Sequence, residues 1–366
     1  MKATNKSIWS GLLVPVVAVI VGLLVGVVLM LATGANPMKA YGALLNGSFG
    51  SLVNLSETIV YINPLIFTGL SIAVAFRCGL FNIGAEGQLI VGMVAAAVVG
   101  YRFAGLPRII HLPLTLLSGA LAGAIWASVP GFLKAKLGVH EVVNSIMMNY
   151  IALYLSHYLV TGPIKDRSLA APYSPEIADT AKLSRFFGGF HSTYRVNTGI
   201  IVAIAAVFLV YYLLYKTTLG YEIRAVGLNQ DAAKYAGISA SKAMLMSMLV
   251  AGSLAGLAGA MQVCGIQYKF LDLFAFEGFG LDGIAVALVG KNNPIGILAS
   301  ASLFGMLHRG SQMMQGMAHV PKETVGIVQA VVIFLVAAEG LVEGWIPGRR
   351  ILTSITSRTG KREGVR

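Results

Sequence analysis

Apolar residues along the chain group into long runs that are separated by short polar stretches. A membrane-spanning helix needs about 20 mostly apolar residues, and most of these runs reach or approach that length. The pattern therefore predicts an all-α polytopic membrane protein with about ten transmembrane helices, some of them broken. The runs cover residues 11–33, 58–76, 84–101, 111–133, 145–162, 198–215, 243–266, 281–290, 294–308 and 324–343.

The short runs 281–290 and 294–308 flank a polar Lys291-Asn-Asn-Pro294 stretch, which predicts either two half-helices or one broken helix. Residues 36–57 mix Asn, Gly and Ser with apolar positions and predict a short helix at the outer face. Pairs of glycines four residues apart, such as Gly252 and Gly256, predict helices whose backbones pack closely.

Composition supports a protein that is embedded in the lipid bilayer over most of its length. The chain is 56% apolar and 11% charged, with a mean hydropathy of +0.77, whereas soluble domains average about 45–50% apolar and about 25% charged. So few charges cannot cover a water-facing surface. One transmembrane domain over residues 1–366 is predicted, with no room for a separate soluble catalytic domain.

The formal charge of +12 would suggest nucleic acid as a partner of a soluble protein. In a membrane protein, Lys and Arg instead collect on the cytoplasmic side. We therefore predict no nucleic-acid partner, cytoplasmic N- and C-termini, and a basic cytoplasmic tail at 346–366. The same reasoning places the long polar loop 163–197 outside and the basic loop 216–242 inside.

Two stretches, 77–88 and 277–294, interrupt the apolar pattern with glycines and an acidic residue. Interrupted segments in the two halves of a transporter mark its central site, because irregular backbone at membrane depth must be satisfied by protein or by a water-filled cavity. These two stretches are therefore predicted to form the wall of a translocation path.

The sequence offers no catalytic or metal site. Gly278-Phe-Gly-Leu-Asp-Gly283 matches the G-x-G-x-x-G pattern, but a dinucleotide site requires a preceding strand and a soluble βαβ unit. We interpret the motif as a flexible turn at the membrane edge. The six histidines and two cysteines lack metal-ligand spacing. We predict that the chain is not an enzyme and carries no cofactor or metal.

Glu86 is the strongest candidate for the path, since an ionisable side chain within the membrane is costly and marks function by default. On a continuous helix Asn82 would share its face. The alternative is a structural role, in which Glu86 pairs with Arg77 or caps a broken helix. Asp282 has the same two interpretations, and Asn149 is either a link between helices or a hydrogen-bonding group in the path.

The polar loop 216–242 contains Gly227-Leu-Asn-Gln-Asp-Ala-Ala-Lys-Tyr-Ala-Gly237. Its alanines and charges predict a short exposed helix that Gly237 ends. Such a helix either docks on a partner protein or simply connects two spans.

Three motifs together resemble the bacterial nucleoside ABC importer permeases, relatives of the ribose and branched-chain amino acid permeases. They are Gly79-Leu-Phe-Asn-Ile-Gly-Ala-Glu-Gly-Gln88, His140-Glu-Val-Val-Asn-Ser-Ile-Met-Met-Asn149 and Gly278-Phe-Gly-Leu-Asp-Gly-Ile-Ala-Val-Ala-Leu288. The segment from Asp231 to Gly237 is similar to the E-A-A-x-x-x-G signature of importer permeases. Asp231 stands in place of its Glu, and Ser247 in place of a later Ile, which leaves the coupling contacts open.

The resemblance implies the permease subunit of an ATP-driven nucleoside importer in the bacterial cytoplasmic membrane, working by alternating access. Its implied partners are a cytoplasmic ATPase that binds ATP and Mg, a second permease that is often a different chain, and an extracellular substrate-binding lipoprotein. Sugar or riboflavin import by the same fold and an ion-coupled secondary transporter are the alternatives. The candidate substrate-path residues are Phe81, Asn82, Glu86, Gln88, Asn149 and Asp282. The candidate ATPase-coupling residues are Glu222, Arg224, Asn229, Asp231, Ala232, Ala233, Lys234, Tyr235 and Gly237.

Overall fold

The computed structural model describes residues 8–186 and 194–337, which are mostly helical, with the helices in the order that the apolar runs predict. The helices are α1 (Ile8–Ala32), α2 (Pro37–Phe49), α3 (Leu52–Arg77), α4 (Ala85–Arg102), α5 (Arg108–Leu137), α6 (Glu141–Thr161), α7 (Gly199–Lys216), α8 (Thr218–Leu228), α9 (Gln230–Tyr235), α10 (Ala240–Gln262), α11 (Phe279–Val289), α12 (Pro294–Ala318) and α13 (Lys322–Ala337). A 3₁₀ turn at Asp179–Ala181 and a π-helical turn at Val263–Gln267 complete the regular structure.

Within these described ranges, five helices are long and apolar enough to cross a membrane. They are Pro15–Ala32, Leu52–Arg77, Arg108–Leu137, Gly199–Lys216 and Ala240–Gln267, and the shorter apolar helices are Phe279–Val289 and Glu323–Val336. The all-helical architecture is therefore confirmed for the described residues, and these helices are consistent with a polytopic membrane protein. The total of ten spans and the cytoplasmic placement of the termini stay predictions, and the basic tail 346–366 lies outside the described residues.

The segment 36–57 is not one short helix, as the sequence suggested, because α3 begins at Leu52, well before the apolar run. Ser51 caps α3 by accepting a hydrogen bond from the backbone N–H of Asn54. The polar residues that follow find partners inside the protein: Asn54 donates to the Asn46 carbonyl, and Ser56 accepts from the Val196 N–H. Polar residues whose hydrogen bonds are satisfied in this way do not interrupt a helix.

The described residues form two compact units, 8–43 with 314–337, and 44–186 with 194–313. In the first unit α1 packs against α13. A Cβ atom on Gly22 would lie 2.6 Å from a methyl carbon of Val332, and one on Gly26 would lie 2.7 Å from Val328. Both distances are too short for a real contact, so these glycines are required by the close approach of the two helices.

The second unit is built around α10, which packs along α5, α4 and α3. Glycines of three helices meet at its centre: Gly92 of α4, Gly123 of α5, and Gly252 and Gly256 of α10. A Cβ atom on Gly92 or Gly123 would overlap the backbone of α10. The predicted backbone-to-backbone packing at paired glycines is thus confirmed.

Contacts define two ends of this second unit. At the first, which we call the long-loop end, part of the loop 163–186 lies against the end of α10: the Leu183 N–H donates to the Cys264 carbonyl at 2.9 Å, and the Ile177 N–H donates to the Tyr268 carbonyl at 2.8 Å. At the second, the α8–α9 end, Gly227 lies against the Arg77 carbonyl at the end of α3. The loop that was predicted outside and the loop 216–242 that was predicted inside therefore lie at opposite ends of the second unit.

Candidate functional site

Both interrupted stretches form helices that begin inside the second unit rather than at its ends. After α3 ends at Arg77, residues 78–84 turn back along it, with the Leu80 N–H donating to the Ala75 carbonyl at 3.0 Å, and α4 then begins at Ala85. After α10, residues 268–278 lead from the long-loop end back into the unit. The last of them, Gly278, has a positive φ of 88° and directly precedes α11.

The start of α11 lies near the middle of α3. A Cβ atom on Gly283 would lie 2.7 Å from the Thr68 hydroxyl oxygen, and Thr68 is about 14 Å from the α8–α9 end of α3 at 1.5 Å per residue. With its 11 residues, α11 is about 16 Å long, about half of a bilayer's hydrocarbon core. It is therefore a half-helix, as one of the two sequence interpretations allowed, whereas α12 is a full-length helix.

Glu86 joins the two broken segments. It lies in the first turn of α4 and is 1% exposed. Its Oε1 accepts a hydrogen bond from the Gly278 N–H at 2.8 Å, and its Oε2 accepts one from the Gly280 N–H at 2.5 Å. A carboxylate at a helix N-terminus satisfies unpaired N–H groups and interacts favourably with the helix dipole. Of the interpretations left open, the geometry is that of a cap on a broken helix.

Asn82 does not share a helix face with Glu86, because it precedes α4. Its amide instead forms two reciprocal hydrogen bonds with the amide of Gln88, at 3.1 and 3.0 Å, and its Oδ1 also accepts from the Gly84 N–H. Nor does Arg77 pair with Glu86. Its guanidinium donates to the Asn292 carbonyl at 3.0 Å and to the Tyr215 hydroxyl at 3.1 Å.

Asn149 links α6 to the start of α4. Its Oδ1 accepts from the Gly87 N–H at 2.8 Å, its Nδ2 donates to the Ile83 carbonyl at 2.9 Å, and it is 5% exposed. With both ends of its amide hydrogen-bonded to backbone, Asn149 fits the interpretation as a link between helices. Phe81 is half-buried with its ring edge-on to Phe76, and Asp282 is half-buried in the first turn of α11.

Two polar residues next to this junction were not singled out from the sequence. Gln267 ends the π-helical turn, and Glu277 immediately precedes the Gly278 turn. The Gln267 Nε2 donates to the Glu277 Oε1 at 3.0 Å. The sequence contained a signal, since Glu277 opens the second glycine-rich stretch, but it gave no partner for that carboxylate.

The electrostatics of the junction favour an uncharged polar ligand. A helix N-terminus is a ready site for anions, but here Glu86 already accepts from the N–H groups of Gly278 and Gly280. The N–H groups that would bind an anion are therefore already occupied. Over residues 8–186 and 194–337 no group of three or more His, Cys, Asp or Glu residues is arranged to hold a metal ion.

The α8–α9 end presents the polar helix predicted from the loop 216–242. Asn229 caps α9 by accepting at Oδ1 from the N–H groups of Asp231 and Ala232, both at 2.9 Å. The helix ends where Gly237 takes a positive φ of 80° and Ile238 donates back to the Ala233 carbonyl. The short exposed helix ended by Gly237 is therefore confirmed as structure.

The candidate coupling residues fall into two groups. Tyr235 is 95% exposed, and Asp231, Ala232 and Lys234 are also exposed, with a 3.6 Å ion pair between Lys234 and Asp231. By contrast, Ala233 is buried, and Glu222 and Arg224 of α8 are half-buried. The Arg224 guanidinium lies 5.2 Å from the centre of the Tyr215 ring. The structure therefore shows Arg224 in contact with its own chain, and leaves the outer face of α9 open.

Comparison with known proteins gives consistent results. The model of the family described as "Branched-chain amino acid transport system / permease component" matches residues 54–337. The guanosine ABC transporter permease protein NupP of Bacillus subtilis is 46% identical over 330 residues, 90% of this chain and 94% of that protein. The nucleoside ABC transporter permease protein NupB of Lactococcus lactis is 38% identical over 360 residues, 96% and 97% of the two chains. The glucose ABC transporter permease protein TsgB13 of Haloferax volcanii is 36% identical over 338 residues, 90% and 88%.

Proposed function

Because the chain belongs to the family of permease components of branched-chain amino acid transport systems, we propose that it is the membrane-spanning subunit of an ATP-driven importer of nucleosides. As a member of this family it is a multi-pass integral membrane protein and a permease, not itself an enzyme. ABC permeases of this kind act with an ATPase and with a second permease.

The observation that carries the nucleoside assignment is the similarity to relatives named for guanosine and for nucleosides, which extends over at least nine-tenths of the chain. The geometry agrees, because Glu86 caps α11 and leaves a junction suited to an uncharged, hydrogen-bonding ligand. An amino acid would bring its own carboxylate to backbone N–H groups that Glu86 already occupies. A sugar is also uncharged, and the relative named for glucose makes sugars the second candidate class.

The described helices suggest how an ATPase drives the site. We assign α9 and the adjoining end of α8 as the coupling surface, with Leu228 88% and Tyr235 95% exposed. Gly227 of α8 lies against the end of α3, and there Arg77 donates to the Asn292 carbonyl in the turn after α11. A displacement of α8 by the ATPase is therefore passed to both broken segments, whose starts are joined by Glu86.

The remaining partners follow from the same assignment. The long-loop end would receive an extracellular binding lipoprotein, and the α8–α9 end would face the ATPase, which binds ATP and Mg. The second permease would be a different chain, and the complex would lie in the bacterial cytoplasmic membrane. The ion-coupled alternative is not favoured, since the family is one of ABC permeases.

Uptake by cells tests this function. In cells lacking the gene, uptake of labelled guanosine and other nucleosides is expected to fall and to return when the gene is restored. Labelled glucose and riboflavin serve as comparisons. Uptake should stop when ATP is depleted and continue when only the proton gradient is collapsed. If the gene restores uptake of glucose alone, sugars replace nucleosides as the assigned substrate class. Uptake that does not depend on ATP would contradict the assignment as an ATP-driven importer.

A further inference from the structure

Gln267 and Glu277 form a pair of hydrogen-bond acceptors that the rest of the site does not use. The Gln267 Nε2 donates to the Glu277 Oε1 at 3.0 Å, and this bond fixes the two side chains beside each other. The other oxygen of each side chain, Gln267 Oε1 and Glu277 Oε2, is buried and has no hydrogen-bonding partner among the described residues. A buried acceptor without a partner is costly. Such acceptors are therefore unusual in a folded protein unless the group has a function.

The position of this pair is that of a ligand site. Gln267 ends the π-helical turn of α10, and π-helical turns are frequent at functional sites. Glu277 lies directly before the Gly278 and Gly280 N–H groups that Glu86 binds, near the middle of α3. In transporters built from interrupted helices, the substrate binds where the broken helices begin.

Aromatic residues flank Glu277 in the chain, and each packs against a second ring. Phe279 follows it and lies 6.3 Å, between ring centres, from Tyr61 of α3, which in turn lies 4.6 Å from His308 of α12. Phe276 precedes it and contacts Tyr150 of α6 edge-on at 5.2 Å. A ligand held by Glu277 would therefore have flat apolar surfaces close by, to which a nucleobase stacks well.

We propose that Glu277 and Gln267 receive the ribose of the transported nucleoside, with the 2′- and 3′-hydroxyl groups donating to Glu277 Oε2 and Gln267 Oε1. Two neighbouring acceptors match the two neighbouring donors of a ribose diol, and a carboxylate that accepts from a ribose hydroxyl is a recurring device in nucleotide recognition. The rings of Phe279 and Tyr61 then face the base. Glu86 is not available for this role, since both of its carboxylate oxygens cap α11.

This inference rests on the proposed nucleoside import, and one experiment separates the two. The uptake rates of labelled guanosine and labelled 2′,3′-dideoxyguanosine are compared in cells that carry the complete transporter. The wild type should favour guanosine at least about tenfold, because a site built to bind hydroxyl groups rejects a ligand that lacks them. Glu277→Gln presents an amide N–H₂ to the donor hydroxyls, so the ratio should fall to the value that the binding protein alone sets.

A second variant and a control keep the result interpretable. Gln267→Met removes the other acceptor and should lower the ratio in the same direction, while Glu323→Gln, which changes an exposed carboxylate of α13, should leave it unchanged. The binding protein is the same in every strain, so a changed ratio reports the permease. If wild-type cells take up no guanosine, the proposed function fails. If they do, but both variants keep the wild-type ratio or both disappear from the membrane, the ribose site is wrong and nucleoside import stands.

Discussion

Replacing Glu86 by Gln removes one half of the cap that joins the two broken segments. In the wild type, both carboxylate oxygens accept hydrogen bonds from backbone N–H groups, of Gly278 at 2.8 Å and of Gly280 at 2.5 Å. Glutamine has one acceptor oxygen, so its N–H₂ group faces one of these two donors. The substitution changes neither the size nor the shape of the side chain, and the loss is therefore electrostatic.

The size of the effect follows from these two bonds. A buried N–H left without an acceptor costs about 1 to 3 kcal/mol, and a carboxylate near a helix N-terminus contributes up to about 2 kcal/mol when partly buried. Together they predict that Glu86→Gln loses about 2 to 4 kcal/mol of folding free energy. The unfolding entropy per residue of globular proteins converts this loss into a shift of the melting midpoint. For the unit of residues 44–313, the midpoint should fall by about 4 to 7 °C.

The chain has a built-in reporter for this measurement. Its two cysteines, Cys78 and Cys264, are both buried, so a thiol-reactive fluorophore reports unfolding of the purified protein on heating. Asp282→Asn is the matched control, because Asp282 lies in the first turn of the same α11 and its charge is worth about 0.3 to 1 kcal/mol there. A Glu86→Gln midpoint equal to that of the wild type, or equal to that of Asp282→Asn, would refute the cap.

Three further changes test other parts of the structure. Asn149→Ala removes both bonds between α6 and the start of α4 and should cost about 1 to 3 kcal/mol, seen as a lower melting midpoint; an unchanged midpoint would show that the link is dispensable. Gly256→Val forces a side chain into the α5 backbone, so we expect almost no folded protein in the membrane. Gly316 has open space around it, so the control variant Gly316→Val should accumulate normally. Tyr235→Ala changes an exposed residue, so abundance should stay normal while ATP hydrolysis no longer drives uptake; normal coupled uptake would contradict the coupling surface.

Local sequence patterns were sufficient to predict most of the helices. Apolar runs long enough to cross a bilayer correspond to helices such as α5 and α10, because burial in lipid and backbone hydrogen bonding act along a continuous segment. The polar helix α9 was also predicted, since its end depends on Gly237, whose positive φ is a local property. The boundary between α2 and α3 was missed, because the polar residues there are satisfied by contacts that the sequence does not reveal.

The candidate site was less predictable, because its contacts join distant parts of the chain. Glu86 was identified correctly as unusual, but its partners lie almost 200 residues later, at Gly278 and Gly280. Asn82 would share a face with Glu86 only on a continuous helix, but α4 begins at Ala85 and the partner of Asn82 is Gln88. A costly polar residue can be recognised from its surroundings in sequence, whereas the group that compensates it depends on how the backbone turns back into the unit.

The segment 268–278 is where we expect movement during transport to concentrate. It is fixed at its start, where Tyr268 accepts at its carbonyl from the Ile177 N–H at the long-loop end, and at its finish, where Gly278 donates to Glu86. Between these points Phe270 is buried and Asp272 pairs with His157 at 2.8 Å, whereas Phe274 is 88% exposed and Ala275 is also exposed. Packing therefore opposes a change of backbone angles least at Phe274 and Ala275. Because α11 is held at its start by Glu86 and at its end by the bond between Arg77 and Asn292, it moves with α3 and α4. A shift of α8 would therefore change the distance between the start of α11 and the long-loop end, and residues 268–278, with Glu277 among them, would have to change shape to allow it.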